Sequence, residues 1–184
     1  MKKIFSIALL GIAFSVQAQV IIGDGTGTAA TKTSVLLEFA AGQNKGIIVP
    51  YVRTLPTQPV RGTILLDAST PTNARMKYYN GNATAGSSGY VDLSGQAGTV
   101  TNALTAQPIG VAEAGRILLG QASSVADGVL VLESGTQAMV LPTVEDVQNI
   151  IRPSPGMMVY VNKAGAKRLA VYNGSKWSFW QPSN

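Results

Sequence analysis

Short apolar runs rich in branched side chains recur along the chain, broken by Gly, Pro, Asn and Ser. Runs of this length and composition predict strands joined by turns rather than long amphipathic helices. They fall into two series in the same order. The first is Val20-Ile21-Ile22-Gly23, Val35-Leu36-Leu37-Glu38, Gly46-Ile47-Ile48-Val49-Pro50, Pro59-Val60-Arg61-Gly62 leading into Thr63-Ile64-Leu65-Leu66, and Met76-Lys77-Tyr78-Tyr79-Asn80-Gly81. The second is Ile117-Leu118-Leu119-Gly120, Leu130-Val131-Leu132-Glu133, Ala138-Met139-Val140-Leu141-Pro142, Pro153-Ser154-Pro155-Gly156 leading into Met157-Met158-Val159-Tyr160, and Leu169-Ala170-Val171-Tyr172-Asn173-Gly174. The offset is 92 from Pro50 to Pro142, 94 from Gly62 to Gly156 and 93 from Asn80 to Asn173. A near-constant offset across shared Pro, Pro-x-x-Gly and Asn-Gly positions identifies an internal duplication.

Each unit reads as an antiparallel hairpin. Residues 63–67 face 75–79 in the first half, and 157–162 face 168–172 in the second. Pro50 and Pro142 end a strand, because proline has no N–H for a central ladder. Asn-Gly after the second strand of each hairpin favours positive φ and a tight reversal. Beyond that turn the halves continue into Tyr90-Val91-Asp92-Leu93 and Trp177-Ser178-Phe179-Trp180. One short helix is expected in the second half, over residues 143–151. Thr143 would cap it, Glu145 and Asp146 would sit in its first turn, and Val147, Ile150 and Ile151 would make its apolar face. The matching stretch, residues 53–58, contains Pro56 and reads as loop. Residues 95–115 begin with a polar, Gly-containing segment and read as a linker. The expected organisation is mainly β: a signal peptide over 1–18, a first β module over 19–94, the linker over 95–115 and a second β module over 116–184.

The N-terminus has the three parts of a secretory signal. Lys2 and Lys3 precede the uncharged apolar stretch from Ile4 to Val16, and Val16-Gln17-Ala18 offers small residues for cleavage before Gln19. The stretch falls short of the roughly 20 apolar residues that a bilayer span needs. Its removal leaves 166 of 184 residues and lowers the formal net charge from +5 to +3. The remaining basic residues are scattered, so no stripe for nucleic acid forms. The chain has no cysteine and no histidine. That excludes disulfides, Ser-His-Asp and Cys-His triads, imidazole acid–base catalysis and the usual zinc ligand sets. No cofactor, metal site or catalytic constellation is expected.

The unit resembles a β module of exported Bacteroidota surface proteins and some tail-fibre-like proteins. In that module Lys-Gly with apolar residues and Pro leads to a Pro-x-x-Gly hairpin that ends in Tyr-Asn-Gly-x-x-Trp. The second half carries Pro142, Pro153 to Tyr160, and Tyr172-Asn173-Gly174-Ser175-Lys176-Trp177. The first half carries Lys45-Gly46-Ile47-Ile48-Val49-Pro50, Pro59 to Gly62 and Tyr79-Asn80-Gly81. It departs from the module at Tyr51 and lacks the tryptophan after its Asn-Gly turn. The resemblance implies a surface, adhesive or fibre-associated β module without assigned chemistry.

Candidate functional side chains are few. Tyr172, Trp177, Phe179 and Trp180 cluster near the C-terminus, where they would stack on sugar rings, anchor a partner protein, or plug the second hairpin. Alternation puts Trp177 and Phe179 on one face and Trp180 on the other. Gly23-Asp24-Gly25-Thr26-Gly27-Thr28 lacks the Lys-Ser/Thr ending of a phosphate loop and the spaced acids of an EF-hand, and reads as a solvated turn. Glu38 and Glu133 occupy matching repeat positions and read as a shared strand end rather than a glycosidase carboxylate pair. The expected function is non-enzymatic: an exported surface or structural protein in envelope or extracellular assembly, or in adhesion. Its expected partners are other envelope proteins and further copies of itself, as in trimeric fibres. The alternatives are a carbohydrate-binding protein using the C-terminal aromatics, and an accessory subunit of an outer-membrane export or motility complex.

Overall fold

The computed structural model describes residues 19–40, 42–83, 88–106, 117–126 and 128–180. The expected signal peptide lies outside them. Among the described residues the chain is mainly β, with fourteen strands, one six-residue α-helix and one 3-10 turn. The two predicted hairpins are present. β5 (Ile64–Asp67) pairs antiparallel with β6 (Arg75–Tyr79), which pairs with β7 (Tyr90–Asp92). β12 (Met157–Val161) pairs antiparallel with β13 (Arg168–Tyr172), which pairs with β14 (Trp177–Trp180).

The duplication extends into the backbone bonding. Past Pro50 the chain forms β4 (Tyr51–Val52), parallel to β5 with Tyr51 opposite Leu66. Past Pro142 it forms β11 (Thr143–Val144), parallel to β12 with Thr143 opposite Tyr160. Each proline thus stands between two short strands and keeps its place in the sheet as an acceptor. The Leu66 N–H donates to the Pro50 carbonyl at 2.9 Å, and the Tyr160 N–H to that of Pro142 at 2.9 Å. The Pro-x-x-Gly turns close alike, with the Gly62 N–H donating to Tyr79 and the Gly156 N–H to Tyr172. Gly81 and Gly174, the glycines of the Asn-Gly turns, both have positive φ, a conformation that costs glycine little.

β1 (Val20–Ile22) lies parallel to β2 (Val35–Phe39), as β8 (Ile117–Leu119) does to β9 (Leu130–Leu132). The registers of these two pairs differ. Ile21 faces Glu38 within its pair, whereas Glu133 lies one residue beyond the Leu119–Leu132 partners. Glu38 and Glu133 are therefore not structurally equivalent, contrary to the match of their sequence positions.

The halves exchange strands. β3 (Ile47–Ile48), from the first half, pairs antiparallel with β12, with Ile48 opposite Met157 and Ile47 opposite Met158. β10 (Ala138–Met139), from the second half, pairs parallel with β2, giving a three-stranded sheet of order β1-β2-β10. The main core is likewise shared: Val49, Leu66 and Met76 of the first half pack with Met158 and Val171 of the second. Burying an aliphatic side chain of this size stabilises a fold by about 1.5–3 kcal/mol, so each half draws stability from the other.

The described part of the segment between the halves, residues 95–106, joins this core. Ala74 and Gly98 form a β-bridge. The helix α1 (Thr101–Ala106) follows, with Val100 and Leu104 buried in the shared core. The apolar residues spaced four apart, rather than the polar start, decide how residues 98–106 pack.

The helix expected over residues 143–151 is replaced. Thr143 and Val144 are strand, and only Val147–Asn149 form a 3-10 turn, capped by Asp146, whose side chain accepts from the Gln148 N–H. Nine residues are too few for a helix to hold itself, and the first two find backbone partners on β12. The buried side chains are Val144, Val147 and Ile150. Their spacing of three suits a 3-10 turn, and Ile151 points outward at 87% exposure. These three cover the second face of the β12–β13–β14 sheet, over Met157, Val159, Val161 and Ala170. The matching face of the first half carries the ion pairs Lys77–Asp67 (2.7 Å) and Arg75–Asp92 (2.6 Å) instead.

Candidate functional site

The four aromatic residues singled out near the C-terminus divide between the two faces of β14. Trp177 stands opposite Tyr172, with ring centroids 5.2 Å apart, and both pack against the second core cluster. Phe179 stands opposite Ala170 on that same face, and the Arg168 guanidinium lies 4.1 Å over its ring. Trp180 is on the other face, opposite Leu169. Its indole Nε1 donates to the Leu93 carbonyl at 2.7 Å, while the Ser178 hydroxyl donates to the Ser94 carbonyl. Phe179 and Trp180 remain 42% and 45% exposed, but on opposite faces, so they do not make one flat stacking platform.

These bonds belong to a seam that ties the C-terminal hairpin to the first half. Tyr51 Oη donates to the Pro155 carbonyl at 2.8 Å, and the Thr99 N–H to the Ser175 hydroxyl at 2.9 Å. Asn173, fully buried, sits at the centre of the seam. Its Nδ2 donates to the Gln96 carbonyl, and its Oδ1 accepts from the Ser175 and Lys176 N–H groups. Gly98 lies so close that a Cβ added there would fall 2.0 Å from the Asn173 carbonyl oxygen. Sequence reasoning identified Asn173 as a turn residue only. Its second role depends on a partner 77 residues away, which no local pattern reveals.

The Gly23 to Thr28 stretch turns on Asp24, whose Oδ1 accepts from the Thr26 and Gly27 N–H groups. Beyond it, the Thr28 and Ala29 N–H groups donate to Glu38 Oε2 at 2.9 Å each. Lys32 pairs with the other carboxylate oxygen. Glu38 has no exposed surface. Burial pushes its pKa up, but the Lys32 ammonium and the two N–H donors outweigh that and hold it below its ordinary value. Asp67 behaves alike, with burial opposed by Lys77 and Ser69 and the net shift downward. Both carboxylates are thus kept ionised by structural partners. Glu133 accepts from the Ser124 hydroxyl, and Glu38 pairs with Lys32. Among the described residues no group of three acids, histidines or cysteines could hold a metal, and no helix is long and apolar enough to cross a membrane. One shallow, open groove, lined by Met139, Val140, Leu141, Thr143 and Tyr160, is mostly apolar.

The outer side of β8–β9 is different in kind. Every residue of these strands is aliphatic, and Ile117 and Leu130, which are register partners, are 61% and 47% exposed. Val129 beside them is 65% exposed. Residues 119–183 match the family model of the phage tail like trimerisation region. The match covers a little over a third of the chain and takes in most of this sheet and the whole C-terminal hairpin. The match is consistent with the tail-fibre-like resemblance seen in the motifs of that segment. No curated protein and no solved structure matches the chain.

Proposed function

We propose that this protein is an exported structural subunit that self-associates as a trimer and contributes to a fibre-like assembly at the cell surface or outside the cell. The match of residues 119–183 to a trimerisation region carries this reading. The fold supports it: two duplicated units share one core, and the ionised carboxylates are committed to structural bonds. The N-terminal pattern of Lys2, Lys3 and the apolar run to Val16 supports export, with the mature chain starting at Gln19. Adhesion to a surface is the role that such an assembly would serve.

Two measurements test this on protein recovered after export. Intact mass is expected to correspond to a chain that begins at Gln19. Sedimentation equilibrium is expected to give three times that mass. A monomer at all concentrations would sink the trimer reading, and a retained N-terminus would sink the export reading.

A further inference from the structure

We infer that the outer face of the β8–β9 sheet, built on Ile117 and Leu130, is the surface through which three copies of this chain meet around a threefold axis. The inference rests on the trimer reading and assigns it a place.

Parallel strands that are apolar at every position belong to sheets covered on both faces. β8 reads Ile-Leu-Leu and β9 reads Leu-Val-Leu, with no polar position in either. Alternation sends Leu118 and Val131 to one face and Ile117, Leu119, Leu130 and Leu132 to the other. Val131 is buried, which makes its face the inner one. The outer face is left with four large aliphatic side chains, two of them largely exposed. A strand facing water would carry polar residues at those positions.

The duplication shows what is missing. In the first half the matching pair, β1–β2, is completed by β10 from the other half. Among the described residues β8–β9 has no third strand, and a two-stranded sheet is at best marginal in water. The strands that complete sheets across the halves are both already engaged, β3 with β12 and β10 with β2. No described strand is left to cover this face, and the trimerisation match points to a further copy of the chain as its occupant. The trimerisation match begins at Leu119, within β8, and runs through β9, which places Leu119, Leu130 and Leu132 of the uncovered face inside the matched segment and Ile117 just before it.

Sedimentation of the exported chain and three variants tests the assignment. Leu130→Lys brings three ammonium groups together at the axis. It is expected to weaken association at least about 100-fold, the scale of losing a buried hot-spot side chain, with an unchanged far-ultraviolet dichroism spectrum. Ile151→Lys, an exposed apolar position off the sheet, is expected to stay trimeric. The chain has no cysteine, so Val129→Cys accepts a single nitroxide label. Strong dipolar broadening between protomers is expected, and this readout holds even if Leu130→Lys fails to fold. A trimer that survives Leu130→Lys, or a labelled trimer without broadening, overturns the surface while leaving the trimer intact. A wild-type monomer overturns the trimer reading and the surface with it.

Discussion

Glu38 shows how a single residue escapes prediction from its neighbours in sequence. A carboxylate without exposed surface stays ionised only if nearby groups replace its water, and Lys32, Thr28 and Ala29 do so. Its sequence counterpart Glu133 lies in a strand pair of different register and accepts from the Ser124 hydroxyl. The Leu-Glu motif was legible, whereas the register, set by pairing across a loop, was not. The consequence appears in acid. Glu38 and Asp67 both have folded pKa values below their ordinary values of 4.5 and 3.8. The unfolded chain therefore binds more protons than the folded one in that window. Stability is fully present above the ordinary values and is lost as pH falls through the folded ones. Melting temperature is expected to be level from about pH 6 upward through neutrality, since no histidine titrates, and to fall below about pH 4.5. Glu38→Gln is expected to lower the plateau and flatten the acid limb. Thermal melts across a pH series check both, and an unchanged acid limb in Glu38→Gln would remove Glu38 from the account.

At the scale of elements, the hairpins, the Pro-x-x-Gly turns and the Asn-Gly reversals were legible because each is encoded locally. Residues 143–151 were not, because their caps and apolar spacing fit a helix until β12 offers the backbone of Thr143 and Val144 a better partner. The two halves diverge here in a correlated way. Where the first half has a Pro56 loop, its sheet face carries ion pairs; where the second has Val144, Val147 and Ile150, its face is aliphatic and covered. The exchanged strand β3 was visible as a strand, but its destination was not. Val49 makes that destination testable, since its N–H donates to the Gly156 carbonyl at 3.1 Å. Val49→Pro removes this bond and is expected to cost about 3 kcal/mol. Amide hydrogen exchange is expected to accelerate in β12, more than 100 residues downstream along the chain. Exchange confined to the neighbourhood of residue 49 would contradict the strand pairing.

At the scale of the whole molecule, the sequence shows two modules and a candidate linker but leaves open whether the modules share a sheet, and in the described structure they share strands and a core. Met158 and Val171 lie in one cluster with Leu66 and Met76, so neither half has a complete interior alone. The second half by itself, residues 116–184, would expose Met158, Val171 and Leu169 and lose β3 from its sheet. It is expected to give a poorly dispersed amide spectrum, whereas the full chain is expected to melt in one cooperative transition. Two resolved transitions would show that the halves are separable after all.

The crossed strands also bear on tension. A row of independent beads yields at its weakest junction, one bead at a time. Here a load drawn through the first half reaches β12 by way of β3, and a load drawn through the second reaches β2 by way of β10. Pulling the halves apart means breaking both strand pairings together with the core between them. In a cysteine-free chain, this lacing ties the halves together without disulfides.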